Sequence, residues 1–512
     1  MRKLSKTLLS LLLIAAMLAS FVVLPAAAEE PAAEQPTEAV QAAETQSKDA
    51  VDGFDLSIVM LDAGRKYYSV DSIKQIIDNA AAAGFGYIML GVGNDGMRFL
   101  LDDMSLAVNG TTYSSEKVAA AIKVGNKAYD ASQTSYSYAP TTDELTQSEM
   151  DAVLAYAKEK GMGVIPMLNT PGHMDAILDA AEALTGKTCS YNGSARTIDV
   201  TNSTAVAFTQ AFVQKYVDYF ASKGCKYFNM GADEYANDKY LNYEGMGFGQ
   251  LLRDGNYGDY ITYINTLANM IDAAGMTPMA FNDGIYYNEK DTYGTVSNKI
   301  VVCYWSSGWG NGQYSPASAT YLNNKGFKLV NTHGDYYWVL GKLDAQCSAT
   351  KASGFSINSF PGSTIDNPSG AMFCIWADYP GAETEASVIS KTADTIAAFG
   401  KTLPDTKDKV KWNTPVVKDN TVSDNGVSVA APGLTKVTVT ETGAPETLPE
   451  GVTEVKAWEI KPEIDGVPYE GEAKVTLKLP AEWSAQISLA ASWKMAKSGS
   501  SRKSSWTKKR VR

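Results

Sequence analysis

The pattern of hydrophobic and polar positions changes character at Phe54. From there to about Phe399, short apolar runs alternate with longer amphipathic stretches. The runs 55–61, 86–91, 162–168, 226–230, 277–281, 299–304, 327–331 and 371–376 have the length and continuous apolar character of strands buried on both faces. Between them, 70–84, 146–160, 204–223, 257–275, 315–325 and 385–399 carry a helical period. Gly84, Gly161, Gly224, Gly275 and Gly326 each fall just before a strand, where a helix C-cap glycine belongs. Alternating β and α units imply a parallel sheet. Eight strands in this span predict an α/β fold of the (β/α)8 TIM barrel type rather than an open sheet.

The flanks read differently. Arg2, Lys3 and Lys6 precede an apolar run from Leu8 to Leu24 and then Ala26-Ala27-Ala28, the order of a bacterial-type export signal over 1–28. Its apolar run is also about long enough to span a bilayer, so an uncleaved anchor is the other reading. Residues 29–52, rich in Ala, Glu, Gln, Thr and Pro, predict a linker before a catalytic domain at 53–402. Val-, Thr- and Pro-rich stretches such as Thr435 to Thr440 predict a small C-terminal all-β accessory module at 415–492, incomplete as read. A Ser/Lys/Arg-rich stretch at 493–512 predicts a disordered basic tail.

Charge narrows the partners. The 512 residues carry a net charge of −12, and residues 494–512 hold eight Lys or Arg with no acid. Removing those eight leaves 37 basic against 57 acidic residues, a balance that disfavours nucleic acid. The five cysteines, Cys189, Cys225, Cys303, Cys347 and Cys374, show no metal-ligand spacing and are odd in number. Neither a zinc site nor a disulfide framework is expected, and no cofactor is implied. No second segment is apolar enough to span, so stable membrane insertion is not expected once the signal is cleaved.

A barrel gathers its chemistry at the carboxyl ends of its strands. There the chain places Asp62 and Arg65, then Asn94 and Asp95, then Asn169 to Asp175 with His173, then Asp233 and Glu234. Asp283, Trp305 with Trp309, Tyr336 to Trp338, and Trp376 with Asp378 follow the later strands. Alone, an Asp-Glu pair reads as readily as a solvated loop or a helix cap. Together, carboxylates, one arginine, one histidine and large aromatics describe a sugar site: pyranose C–H faces pack on aromatic rings, and hydroxyls need charged forks.

Several stretches carry a family resemblance: Leu61-Asp62-Ala63-Gly64-Arg65-Lys66-Tyr67-Tyr68, Pro171-Gly172-His173, Gly231-Ala232-Asp233-Glu234, Phe281-Asn282-Asp283-Gly284 and Ile375-Trp376-Ala377-Asp378. In this order they resemble family 20 glycoside hydrolases, the β-N-acetylhexosaminidases. Gly93-Asn94-Asp95-Gly96-Met97-Arg98-Phe99 and Asp233-Glu234-Tyr235-Ala236-Asn237-Asp238 look most like the surface exo-β-N-acetylglucosaminidases of streptococci. The resemblance covers about 54–400 and implies a retaining, substrate-assisted mechanism in which the sugar's own 2-acetamido oxygen attacks the anomeric carbon. It implies that Glu234 protonates the leaving oxygen and then activates water, and that Asp233 holds the acetamido N–H. Tyr337 would donate to the acetamido oxygen, Arg65 grip the 3- and 4-hydroxyls, Trp376 and Trp305 wall the acetamido pocket, and Asp378 bind a distal hydroxyl. His173 would lie beside Glu234. Asn94, Asp95 and Asp283 join the expected substrate-binding set.

Two positions depart from the family pattern. Its Asp-Asp pair reads Asn94-Asp95 here, which leaves the histidine's carboxylate partner open. A common Trp is Phe281. The expected function is exported exo-hydrolysis of terminal β-linked N-acetylglucosamine, or N-acetylgalactosamine, from oligosaccharides or glycoproteins. The alternatives are a disaccharide-releasing enzyme of the lacto-N-biosidase kind and a catalytically silent carbohydrate-binding protein.

Overall fold

The computed structural model describes residues 52–133, 142–240, 245–309, 312–416, 419–424, 427–442, 457–464, 467–469 and 473–477. The expected signal, all but the last residue of the expected linker, and the expected basic tail lie outside them.

Eight parallel strands close on themselves: β1 Leu56–Leu61, β2 Tyr87–Asn94, β3 Gly163–Thr170, β4 Tyr227–Gly231, β5 Thr277–Phe281, β6 Val301–Tyr304, β7 Leu329–Asn331 and β8 Gly370–Trp376. Each pairs with the next, and β8 pairs with β1 from Leu56↔Gly370 to Leu61↔Ile375, so no strand is left as an edge. This is the expected (β/α)8 barrel, and every expected strand overlaps an observed one. The strands read as continuous apolar runs because both faces are covered. In β1, Ile58 and Met60 join Met89, Met167, Met279 and Cys374 in the barrel interior, while Val59 and Leu61 join the layer that packs under the helices.

The outer layer includes α1 Val70–Ala82, α2 Ser115–Ser132, α3 Gln147–Glu159, α4 Asp175–Thr185, α5 Ser203–Ser222, α6 Met246–Asp254, α7 Tyr257–Ala273, α8 Ala319–Asn324, α9 Ala349–Ala352 and α10 Glu385–Lys401. Side chains of Ser69, Thr146, Asn202, Ser318 and Thr384 cap helix N-termini, each satisfying an otherwise orphaned amide. The pattern does not indicate α2, α4, α6 or the short α9. In α2 the apolar stripe is interrupted by buried Gly125 and Asn126. Gly125 sits so close to the backbone of Ala176 in α4 that any Cβ would collide with it, so at this point the two helices meet backbone to backbone.

After the barrel, the expected C-terminal β module appears as two three-stranded sheets. One joins Asp419–Asp424, Val427–Pro432 and Lys474–Leu477, and the other Lys436–Thr442, Ala457–Ile464 and Val467–Pro468. Val427, Val429, Ala431, Leu434, Val437 and Val439 form their shared core. Among the described residues no helix is long and apolar enough to cross a membrane.

Candidate active site

The carboxyl ends of the strands are tied by a chain of buried polar side chains. Asp62, just past β1, accepts from the Arg65 amide, Arg65 Nη1, Asn94 Nδ2 and the Ala377 amide, each at 3.1 Å. Asn94 Oδ1 accepts from Asn169 Nδ2 at 3.2 Å, and the same amide donates to Asp233 Oδ1 at 2.8 Å. The ends of β1 to β4 are thereby held in one frame. Gly231 completes it: its φ of 74° and its packing on the Asn169 side chain leave no room for a Cβ.

Asp95 turns out to be the carboxylate partner of His173. It accepts from Arg65 Nε through Oδ2 (2.7 Å) and contacts His173 Nδ1 through Oδ1 (2.9 Å). On the far side of the ring, His173 Nε2 lies 3.3 Å from Glu234 Oε2 and 3.7 Å from Asp233 Oδ2. These are ionic contacts rather than well-aligned hydrogen bonds.

Arg65, His173, Asp233, Glu234, Trp305, Tyr337, Trp376 and Asp378 all line one pocket of about 290 Å3. Asn94, Asp95 and Asp283 stand behind its wall. Asp283 is fully buried and accepts from Trp305 Nε1 at 2.6 Å and from the Tyr314 hydroxyl, so it orients the indole. Phe281 lines the pocket, 5.6 Å from Trp376 between ring centres. Tyr337 stacks near Trp305 (6.3 Å, 21°) and edges onto Trp376 (5.8 Å, 61°), which gives a wall of four rings. Arg65 stands over Trp376 at 5.8 Å, within cation–π range. The Tyr337 hydroxyl is 3.1 Å from Thr332 Oγ1.

Lys342 is a pocket residue that the motifs did not indicate. It donates to Asp378 Oδ2 at 2.6 Å, while Arg65 Nη1 approaches Asp378 Oδ1 at 3.7 Å. Lys342 lies 11 positions past the end of β7, in a loop with no period, and nothing local signals it. Asn237 lies in the Asp233-Glu234-Tyr235-Ala236-Asn237-Asp238 stretch and donates to Glu234 Oε2 at 2.6 Å, a role the motif alone does not give it.

The burial of these charges sets their protonation. Burial alone would lower the proton affinity of His173, but Asp95, Glu234 and Asp233 outweigh it and raise the pKa to about 10. Burial opposes ionisation of Asp95, yet Arg65, His173 and Arg196 hold it well below the usual carboxylate range. Burial would raise Glu234, and His173, Arg65 and Asn237 instead bring it below its ordinary value. Asp233 is raised by burial and by Glu234. Burial and then Asp233 raise Asp283 to about 8. Burial keeps Tyr337 a neutral O–H donor.

A stability prediction follows from the Asp95–His173 pair. His173 titrates at about 10 in the fold against an ordinary value near 6.5, so its contribution is whole below about pH 6.5 and fades toward pH 10. Asp95 contributes above its ordinary value near 4 and loses that contribution as pH falls. Asp95→Asn is therefore expected to flatten the fall in Tm between about pH 6.5 and 10. Melts with wild-type slope across that window would remove the pair as a stabilising element.

Comparison with known proteins places this geometry. Residues 56–361 match the description "Glycosyl hydrolase family 20, catalytic domain". Two structures of pneumococcal StrH, described as a virulence factor and as an exo-β-D-N-acetylglucosaminidase with tandem family 20 catalytic modules, are each 38% identical with a TM-score of 0.62. Each match covers 69% of this chain and 84% of the other. A β-N-acetylhexosaminidase from Bacteroides fragilis, 16% identical at TM-score 0.50 over 69% of this chain and 67% of its own, shares the fold. Among curated proteins, the lacto-N-biosidase of Bifidobacterium bifidum is 26% identical over 288 residues, 54% of this chain. The match spans 25% of that protein's length. With over half its length on the catalytic domain and its barrel alike to one at 38% identity, the chain belongs to glycosyl hydrolase family 20.

Proposed function

We propose that this chain is an exported, exo-acting β-N-acetylhexosaminidase that removes terminal β-linked N-acetylglucosamine from glycans by a retaining, substrate-assisted route. N-acetylgalactosamine is the other terminal sugar to test. The observation that carries the reading is the single pocket in which Asp233 and Glu234 face four aromatic rings and Arg65. Its volume of about 290 Å3 lies at the small end of ligand pockets and suits one sugar ring rather than an oligosaccharide.

In this reading the sugar packs against Trp305, Trp376, Tyr337 and Phe281, and Arg65 and Asp378 take its distal hydroxyls. Asp233, oriented by Asn169, accepts from the acetamido N–H and offsets the charge that develops as the acetamido oxygen attacks. Tyr337 donates to that oxygen. Glu234 protonates the leaving oxygen, then deprotonates the water that opens the oxazolinium, so configuration is retained. Before substrate binds, the charges around the pair hold its proton on the His173 imidazole rather than on Glu234. Substrate entry displaces water and disfavours two separated charges, which drives the proton onto Glu234. Domain limits at 53–402 and 415–492, and export by a signal at 1–28, belong to the same proposal.

A second reading, release of a disaccharide, is favoured by the likeness to a lacto-N-biosidase. Chromogenic β-N-acetylglucosaminide, lacto-N-bioside and β-glucoside substrates separate these readings. Cleavage of the first alone is expected. Cleavage of the glucoside as well would contradict acetamido assistance, and cleavage of none would favour a silent carbohydrate-binding protein.

A further inference from the structure

The loop from Gly231 to Asp238 is held in an unusual backbone. Four of its residues have positive φ: Gly231 (74°), Ala232 (68°), Glu234 (47°) and Ala236 (50°). Three of these are not glycine, so the surroundings must impose the shape. They do so through a second loop. The Ala236 amide donates to Thr197 Oγ1 at 3.0 Å, and the Asp238 carboxylate accepts from Ser194 Oγ at 2.6 Å and the Ala195 amide at 2.8 Å. Between these anchors, the Asn237 amide donates to the Glu234 carbonyl at 3.1 Å, which closes a turn over the carboxyl group.

The turn sets Asn237 Nδ2 against Glu234 Oε2 at 2.6 Å, and the same oxygen is the one that lies 3.3 Å from His173 Nε2. Both nitrogens approach Oε2, one by hydrogen bond and one by charge. Among the described residues Oε1 takes no hydrogen bond, and Glu234 keeps 27% of its side chain exposed in the pocket. The other end of the amide, Asn237 Oδ1, is buried and, among the described residues, has no hydrogen-bond partner. A buried orphan acceptor is costly and calls for a reason. Here the orphan is the cost of turning the donor end of the amide onto the carboxylate, which fixes Oε2 and leaves Oε1 without a partner among the described residues.

We propose that Asn237 is a positioning residue: by donating to Glu234 Oε2 it fixes the carboxyl group in the pocket and leaves Oε1 to carry the catalytic proton. This rests on Glu234 being the acid and base of the proposed reaction. A residue that gives a proton in one step and takes one in the next must keep one oxygen fixed toward the leaving group and water, and a neutral donor on the other oxygen does this without adding a charge. The charged and titratable groups facing Glu234 are otherwise His173, Asp233, Arg65, Asp283, Tyr314 and Lys342. Asn237 is thus a neutral contact in a charged surround, and changing it alters the proton affinity of Glu234 without removing a countercharge.

The test uses the full chain with Asn237→Ala and the isosteric Asn237→Asp. The readout is kcat/KM against pH on an aryl and an alkyl N-acetyl-β-glucosaminide. Loss of a donor to the carboxylate favours the protonated form, so the alkaline limb is expected to move up by about one pH unit in Asn237→Ala. The move should be larger in Asn237→Asp, which sets a carboxylate against a carboxylate. A larger loss on the alkyl than on the aryl substrate is expected in both. Profiles superimposable on wild type in either folded variant would overturn the proposal. The parent assignment is judged separately: should Glu234→Gln lose equally in kcat/KM on both substrates, the acid is elsewhere whatever Asn237 does.

Discussion

Glu234→Gln is expected to lower kcat/KM on alkyl or oligosaccharide substrates by roughly 10²–10⁴, the span of general acid catalysis. On aryl glycosides with a good leaving group the loss in kcat/KM should stay within about tenfold. The amide keeps the shape of the carboxyl group and its contacts with Asn237 and His173. What it removes is a transferable proton, and a nitrophenolate leaves without one. The choice of kcat/KM matters because Glu234 would also activate the water of the second step. Turnover at saturation can therefore fall on both substrates, while kcat/KM reports only events up to departure of the leaving group. Equal losses in kcat/KM would remove Glu234 as the acid.

Asp233→Asn should behave differently. The expected loss is on the order of 10²–10³, that of one pre-organised electrostatic contact with a developing charge. It should be similar for good and poor leaving groups, since the charge on the acetamido group develops with either. A second consequence follows from burial. Glu234 raises the proton affinity of Asp233, and since the repulsion between two carboxylates is mutual, neutralising Asp233 should make Glu234 easier to ionise. The alkaline limb of the rate profile is then expected to move to lower pH, opposite to the Asn237 variants. Turnover near wild type would sink the assignment of Asp233.

Much of this architecture is written locally in the chain. The eight strands were legible because each is covered on both faces and must be a continuous apolar run, and the C-cap glycines before them confirmed the alternation. Gly84, Gly161, Gly224, Gly275 and Gly326 all adopt positive φ. Helices α2, α4, α6 and the short α9 were not legible. α2 meets α4 through Gly125 and the Ala176 backbone, a contact that interrupts the apolar stripe of α2 and weakens its period.

The chemistry divides along the same line. Sequence alone determined which residue types gather at the strand ends, because a parallel barrel sends every strand's carboxyl end to one face and the motifs sit there. It could not say which oxygen faces which nitrogen. Only the tertiary structure decided that Asp95 is the partner of His173, that Asp283 braces Trp305 from behind the pocket wall, and that Lys342 reaches Asp378. Each of these depends on atoms placed within about 3 Å by loops from different strands. Contacts between such loops are set by the closed barrel and leave no period in the chain.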